Sequence, residues 1–518
     1  MKKLKNYIIV SAVLLSTLGC DKDFVEINTD PYAVTVINPA LLFAGAQRTP
    51  LGGWEDEHTI VQHFVNPYNQ GATLGFNFNE DIDLRSSGRW NSAYSGPGHV
   101  RLMVQALEIL GEDTDRVNLK SMIRIWKAQV FMGLVDAYGN VPYSEAGKAV
   151  IEQIFFPVYD IDEAIYDDLY SELTGALAAL NPGADFVSED LFYGANSENP
   201  SANATVQVEK WRKLGNSLLL RLGMRYSKVN PSKAQSIVAE AFAGGVMTSN
   251  DDNAYVKYDG SLFTQGANNG LRDFSYFYYA AEPFVEQLKS TNDPRAQFIL
   301  ANFTDPAAVV NDPEPDTELA NQFGVPIGVI STDLADPNGP YRGSRLGGLN
   351  YSQMNIWAIA SPAAPDFWVT YAQTSLLLAE AAHRGWVSGD VRTYYENAIR
   401  ADMQVYELYP ATSPITDAEI NAYLNEPGVL FDAGRALELI NTQYWVVNLR
   451  NGGEAWANFR RSGYPDLQPN LFNNNLNGGF VRRMSYPDRE ASANAQSYAA
   501  AIAIRPNDLV SRVFWDTQ

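Results

Sequence analysis

Residues able to make or break bonds are sparse in this chain. Its four histidines, His58, His63, His99 and His383, show no HExxH or other zinc spacing. Cys20 is the single cysteine, so no intrachain disulfide and no thiolate metal set can form. The sequence has no intact GxSxG elbow, no P-loop and no GxGxxG turn. Carboxylates are abundant, but in an acidic protein most carboxylate pairs are surface groups, and counting them identifies no glycosidase pair. The acidic segment Asn311, Asp312, Glu314, Asp316 and Glu318 could hold a structural calcium ion; it lacks the EF-hand pattern, so a solvated turn is expected and no cofactor is required. A different chemistry is in excess. Aromatic residues form 12% of the chain, and many lie outside any helical period. Aromatic faces stack on flat apolar surfaces while neighbouring amides and guanidinium groups hydrogen-bond at the rim, which is the chemistry of binding.

The elements that position these residues begin with a leader. Lys2, Lys3 and Lys5 precede an apolar run from Tyr7 to Leu18 and then Gly19-Cys20, the pattern of a secretory signal too short to span a bilayer. A lone thiol directly after such a signal is expected to be acylated, tethering the mature chain from Cys20 onward to a membrane surface. Ser16-Thr17-Leu18-Gly19-Cys20 is a relaxed form of the lipidation box, and Asp21, Lys22 and Asp23 follow it. The formal net charge of −22 becomes more negative once the leader's three lysines are removed, which disfavours nucleic acid, anionic lipid and strongly polyanionic ligands over most of the surface.

Helical periodicity accounts for most of the remainder. Leu119, Ile123, Trp126, Val130 and Leu134 form one stripe, ending at Tyr138-Gly139-Asn140 ahead of Pro142. Asp160 is expected to open a capping box with Glu163, with Ile161, Ile165, Leu169, Leu173, Ala176 and Leu180 down one face. Trp211, Leu214, Leu218, Leu222 and Tyr226 make a third stripe, and Asn230-Pro231 starts a helix that ends at Gly244-Gly245. The pattern resumes with Phe367, Tyr371, Ser375, Leu378 and Ala382, then from about Gly389 to Leu408, then from about Asp432 to Leu449. Paired helices with short turns suggest a mainly α fold built from tetratricopeptide-type αα-hairpins, over about 90–245 and 366–465 of one domain spanning 20–518. Loop-rich segments at about 50–90 and 250–365 would pack against it.

Near the carboxyl end the chain reads Arg450-Asn-Gly-Gly-Glu454-Ala-Trp456-Ala-Asn-Phe-Arg460-Arg461-Ser-Gly-Tyr464-Pro465, and later Val481-Arg482-Arg483-Met-Ser-Tyr486-Pro487. Taken alone, the first segment reads as the end of an amphipathic helix with Arg460 and Arg461 pairing surface carboxylates. Earlier landmarks are Asn28-Thr-Asp30-Pro31, Trp90-Asn91-Ser-Ala-Tyr94, Asp136-Ala-Tyr138-Gly139-Asn140, Lys210-Trp211-Arg212 with Arg221-Leu-Gly-Met-Arg225, and Leu378-Ala379-Glu380-Ala381 before Arg384-Gly385. In this order they resemble the SusD/RagB family of nutrient-binding lipoproteins over nearly the whole mature chain. The resemblance implies a SusD-like fold and a surface-exposed outer-membrane lipoprotein. It also implies capture of a poly- or oligosaccharide for a SusC-like TonB-dependent transporter, without catalysis. A peptide or glycoprotein ligand is also permitted. A lipid-anchored tetratricopeptide scaffold binding only proteins and a helical glycoside hydrolase are the competing readings.

A glycan site should combine aromatic faces with amides or arginines in loops. Three stretches qualify. The first contains Phe64, Asn66, Tyr68, Asn69, Gln70, Phe76 and Phe78. The second contains Asn268, Asn269, Arg272, Phe274, Tyr276, Phe277, Tyr278 and Tyr279. The third contains Tyr341, Arg342, Arg345, Asn350, Tyr351, Asn355 and Trp357. The expected ligand contacts are Tyr68, Phe76, Phe78, Asn268, Asn269, Arg272, Tyr276, Tyr278 and Trp357. Trp90, Tyr94, Trp126, Trp211 and Trp456 are assigned to structure, because they sit in the shared scaffold motifs.

Overall fold

The computed structural model describes residues 37–48, 53–68, 80–470, 472, 476 and 478–517, so the leader, Cys20, Phe76 and Phe78 lie outside the described residues. Helices pack in pairs: α1 (Pro39–Arg48) on α2 (His99–Leu110), α3 (Val117–Tyr138) on α4 (Asp162–Ala179), and α5 (Ala204–Arg225) on α6 (Pro231–Gly244). Two shorter helices, α7 (Gly266–Asp273) and α8 (Glu282–Ser290), interrupt a loop-rich stretch. Helices α9 (Tyr371–His383) and α10 (Val391–Gln404) form a further pair, and α9 also packs on α11 (Ala436–Val447), which leads to α12 (Gly452–Ser462). Local chemistry starts and stops these helices. Asn203, Asn230, Asp390 and Asn451 each accept a backbone N–H from the first turn that follows. Thr370 and Gln373 form a reciprocal capping box on α9. Gly139 ends α3 at φ +76°, a conformation that strains any side chain.

The periodicity reading holds for the stripe of α5, where Trp211, Leu214, Leu218, Leu222 and Tyr226 are all buried. Helix α3 departs from it. Its expected single stripe is accompanied by buried Met122, Ile125, Ala128, Phe131, Met132 and Val135, because α2, α4, α5 and α12 surround it. Asp160 does not cap α4. It lies in a strand and accepts hydrogen bonds from the backbone of Tyr143 and Ser144 at 3.0 and 2.9 Å, while Ile161 is the N-cap and is exposed. Phe367 likewise belongs to a strand rather than to the helix that follows. The last expected helix is divided, its α-helical part ending at Val447 and a short 3-10 turn following at Asn448–Arg450.

Strands are short and antiparallel. β1 (Phe64–Val65) pairs with β5 (Tyr279–Ala280), β2 (Val141–Pro142) with β3 (Tyr159–Asp160), and β4 (Ala254–Val256) with β10 (Asp366–Val369). β6 (Leu300–Ala301) pairs with β9 (Gln353–Met354), and β7 (Ser344–Arg345) with β8 (Gly348–Leu349). They pin the loop-rich stretch to the scaffold. One contiguous cluster of buried apolar side chains runs from Ala40 to Trp515, and a smaller one gathers around Val65, Tyr279, Val325, Leu349 and Tyr351.

Charged residues tie the helices together inside this core. The Arg225 guanidinium donates to Asp136 at 3.2 Å and to Glu454 at 2.6 Å, joining α5, α3 and α12. Tyr444 donates to Glu454 at 2.7 Å, and Trp515 Nε1 to Asp136 at 2.9 Å. Arg460 and Arg461 do not meet surface carboxylates. Both are almost fully buried, Arg460 donating to the Asp136 carbonyl at 2.7 Å and Arg461 clasping Glu380 at 2.7 and 2.6 Å. Burial alone would raise the Glu380 pKa, but Arg461 and Arg384 outweigh it and hold the carboxyl at about 2. The pair therefore contributes stability that is fully present above the ordinary value of 4.5 and is lost as pH falls towards 2. Glu380→Gln leaves the buried Arg461 unpaired and is expected to cost about 3–5 kcal/mol in urea unfolding at pH 7. The difference from wild type should narrow as the titration is repeated below pH 4.5; a constant difference would refute the ionic assignment.

Candidate functional site

The three aromatic stretches are far apart in sequence and adjacent in space. Pairing of β1 with β5 sets Phe64 opposite Ala280 and Val65 opposite Tyr279, joining the first stretch to the second. The third joins through the Leu349 N–H, which donates to the Tyr279 hydroxyl at 2.9 Å. At this junction Tyr68, Tyr276 and Phe277 are half-buried and Phe274 is 55% exposed. Tyr68 meets Tyr276 and Phe277 edge-on, with ring centroids 6.0 and 5.3 Å apart, and the Tyr276 and Phe277 centroids lie 4.0 Å apart. The result is an aromatic platform of half-buried rings beside the exposed Phe274. Asn269 and Arg272, exposed and half-buried on α7, supply polar groups just before Phe274. They lie on a helix rather than in the expected loop, because Gln265 caps the turn by accepting the Asn268 N–H at 3.2 Å.

Beneath the platform the rings continue inward. Phe277 touches Tyr278, Tyr278 touches Phe64, and Phe64 touches Trp54, with centroid separations of 6.2, 5.5 and 5.7 Å. Trp54 then packs on His58, His58 on His63, and His63 stacks on Trp445 of α11 at 4.7 Å. Burial pushes the His63 imidazole down to about 3, so the ring is neutral. Its Nε2–H donates to the Trp445 carbonyl at 3.0 Å, which leaves Nδ1 to accept from His58 Nδ1–H at 3.3 Å. These histidines are structural parts of the stack.

Several expected contacts have other roles. Asn268 is fully buried, its Oδ1 accepting from Trp54 at 2.9 Å and Arg450 at 3.2 Å and its Nδ2 donating to the Ser361 carbonyl at 2.7 Å. Tyr278 is 9% exposed, and its hydroxyl donates to Glu55. Trp357 is half-buried and donates to the Asp312 carbonyl at 2.8 Å, on the acidic segment rather than on the platform. Two carboxylates of that segment are engaged by nearby chain, Asp312 accepting from the Thr304 N–H and Asp316 from the Glu318 N–H and the Asn321 amide. Among the described residues no group of three or more His, Cys, Asp or Glu could hold a metal ion. Arg345 is spent on the Asn302 side chain and the Thr304 carbonyl at 2.9 and 3.0 Å, which fixes the β7–β8 hairpin. Sequence reasoning missed Phe323, which carries Arg342 over its ring at 3.5 Å and Lys289 at 4.2 Å. Nothing in its local pattern sets Phe323 apart, since both cations arrive from other segments. Trp90, Trp126, Trp211 and Trp456 are buried, and Tyr94 is half-buried against the core.

Comparison with known proteins adds to this geometry. Residues 31–487 match a SusD-like family described as "Starch-binding associating with outer membrane". A solved structure titled a chitin-binding protein is 28% identical, with a TM-score of 0.77 over 93% of this chain and 100% of that one. A structure titled "Bacteroidetes AC2a SusD-like" is 26% identical, with the same TM-score and coverage. A chitin-binding SusD homologue from Flavobacterium johnsoniae shares the fold at 20% identity, with a TM-score of 0.72 over 93% and 99% of the two chains. No curated protein sequence matched.

An acidic cluster beside the stack provides a pH test. Burial, then Glu57 and Glu55, raise the Asp56 carboxyl from 3.8 to about 7, against a hydrogen bond from the Gly53 N–H. The folded chain therefore holds this proton more tightly than the unfolded chain, and the associated stability is lost as pH rises from 3.8 through 7. Asp56→Asn removes that loss. Its thermal stability relative to wild type should improve between pH 4 and pH 8, by on the order of 2–4 kcal/mol; no pH dependence of the difference would contradict the shift.

Proposed function

Since this chain belongs to the SusD-like family, we propose that it captures a poly- or oligosaccharide at the cell surface and delivers it to a SusC-like TonB-dependent transporter. The aromatic platform carries the reading. Pyranose rings present flat C–H faces that stack on aromatic side chains, and their hydroxyls accept from guanidinium groups and both accept from and donate to amides. Phe274, Tyr276, Phe277 and Tyr68 supply the first element, and Asn269 and Arg272 the second. Chitin-binding relatives with the same fold support a neutral or N-acetylated glycan, as does the formal charge of −22. The ring stack down to Trp445 holds the platform rigid before ligand arrives, which reduces the ordering cost of binding.

Acylation at Cys20 would hold the protein at the outer membrane and raise the ligand concentration next to the transporter. Among the described residues no helix is long and apolar enough to cross a membrane. Capture proceeds without bond cleavage in this reading. Glu55, a carboxylate close to the platform, accepts the Tyr278 hydroxyl and lies 3.6 Å from Arg85, which commits it to structure.

Affinity electrophoresis of the soluble chain beginning after Cys20, run through gels containing chitin-derived glycans, starch, other neutral glycans and acidic polysaccharides, tests the proposal. One glycan should retard wild type, and Phe274→Ala and Tyr276→Ala should each weaken that binding about tenfold, the loss of one stacking face. New reducing ends would overturn the non-catalytic reading. Retardation by no glycan would favour a peptide or protein ligand.

A further inference from the structure

The segment joining β2 to β3 carries a run, Ile154-Phe155-Phe156-Pro157-Val158, in which Phe155 and Phe156 are 65% and 68% exposed and Val158 is exposed as well. Val150, earlier in the same segment, is exposed too. Contiguous apolar exposure of this kind marks interaction surfaces, unlike single scattered side chains. The chain holds the run in place from both sides. The Glu152 N–H donates to the Lys148 carbonyl at 2.8 Å and the Val158 N–H to Glu145 at 2.9 Å. Between them Gln153 turns the backbone at φ +59°, a left-handed conformation disfavoured for a residue with a side chain. Asn494 Nδ2 donates to the Pro157 carbonyl at 2.8 Å and fastens the run beside α13 (Ala495–Ile504). On α13 only Ala501 is buried, while Ala499, Ala500, Ala503 and Ile504 are exposed, and no charged residue occurs between Glu490 and Arg505.

We propose that this surface pairs with the same surface of a second copy of the chain, about a two-fold axis. Beside the phenylalanines lies a recess of about 370 Å³ between α2 and the turn Glu490–Asn494, with Tyr94, Pro142, Ala146 and Ile154 in its walls. Phe155 stands at its edge, and Phe156 projects outside it. Pockets of that size enclose whole small ligands, so the recess has room for one aromatic side chain. A two-fold contact requires one patch to supply both a projection and the space that receives it, because residue i meets residue j of the partner and j meets i in turn. Phe156 is the projection here and the recess its receiver, with the uncharged face of α13 alongside.

Charge complementarity selects a copy of the same chain. Molecules of net charge −22 repel one another over most of their surfaces. Around the recess this repulsion is absent. Over residues 145–159 and 489–504, together with Arg101 on α2, the cations Arg101, Lys148 and Arg489 balance the anions Glu145, Glu152 and Glu490. The patch is therefore neutral, and a rim carrying both signs can pair with its own copy across the axis. An apolar centre with a polar rim is also the general layout of protein interfaces. An anionic bilayer would gain no attraction from a rim of zero net charge. A small ligand confined to the recess would leave Phe156, Val158 and α13 uncovered.

Sedimentation velocity of the soluble chain beginning after Cys20, at about 1 to 100 µM, reads the oligomeric state. A monomer–dimer equilibrium is expected, and Phe155→Ser combined with Phe156→Ser should weaken it at least tenfold with the melting temperature unchanged, since both side chains are exposed. Cross-linking identifies the face. Cys20 is the single cysteine, so the soluble chain has no thiol, and Phe156→Cys or Ala493→Cys each introduces one. Mixed under mild oxidation, these two variants should form a disulfide-linked dimer, because Ala493 lines the recess that Phe156 enters. Phe156→Cys mixed with Leu346→Cys, in the turn between β7 and β8, should not. A monomer at every concentration, a dimer indifferent to the double substitution, or no mixed disulfide between Phe156→Cys and Ala493→Cys would overturn the proposal. Binding to phosphatidylglycerol vesicles that the double substitution abolishes, without a dimer, would overturn it in favour of a lipid surface. Glycan retardation in the gel experiment is a separate readout, and its failure leaves the dimer test intact.

Discussion

Arg225, buried between Asp136 and Glu454, is the contact on which the helical scaffold depends. Three helices from distant parts of the chain meet at one guanidinium, and each carboxylate is further satisfied by Tyr444 or Trp515. Burial would by itself neutralise Glu454, but Arg221 and Arg225 keep its carboxyl below the ordinary range. Such a network stabilises only when complete, since removing one partner leaves an uncompensated charge in a medium that cannot solvate it. Its geometry requires α3, α5 and α12 to pack in one arrangement. Arg461 and Glu380 impose a similar requirement on α12 and α9.

The aromatic platform inherits its position from that scaffold through rings rather than charges. Trp445 on α11 stacks on His63, and the contacts pass through His58, Trp54, Phe64 and Tyr278 to the platform. Each contact is weak, but planar side chains with few rotamers lose little entropy when held, so the outermost rings are ordered by those below. Short strand pairs complete the attachment, β1 with β5 at the platform and β4 with β10 at the scaffold. Two adjacent regions therefore serve different ends with similar residues: aromatics whose rings are enclosed hold the fold, and aromatics at the outer end of the stack face solvent.

Much of the scaffold was legible in the sequence because helix formation is local. Stripes such as Trp211 to Tyr226, the Asn230-Pro231 start and the Gly139 stop are decided within a few residues, and the structure repeats them. Asp160 was misread because a capping residue and a strand-end residue look alike until β2 lies alongside and offers the Tyr143 and Ser144 N–H groups. Landmark residues of the carboxyl segment also gained a different meaning. Arg460 and Arg461 read as pairing surface carboxylates, yet both are buried and bonded to a carbonyl and a carboxylate contributed by distant segments, and Arg483 is likewise buried against the Tyr138 carbonyl.

The candidate site shows where local reading ends. The types of residue and the three stretches that hold them could be selected from composition, since stacking and hydrogen bonding need aromatics beside amides. Whether a given ring is exposed could not. Tyr276 and Tyr278 are two residues apart, yet one faces the surface and the other is enclosed with its hydroxyl on Glu55; Asn268 and Asn269 divide in the same way. The sequence by itself determined the helical hairpins and the family resemblance, because propensity, capping and periodicity act over one or two turns and the family's landmarks are short local motifs. Tertiary structure alone decided which arginines are buried, which aromatics are exposed and which three stretches meet, because exposure is set by contacts between segments far apart in the chain.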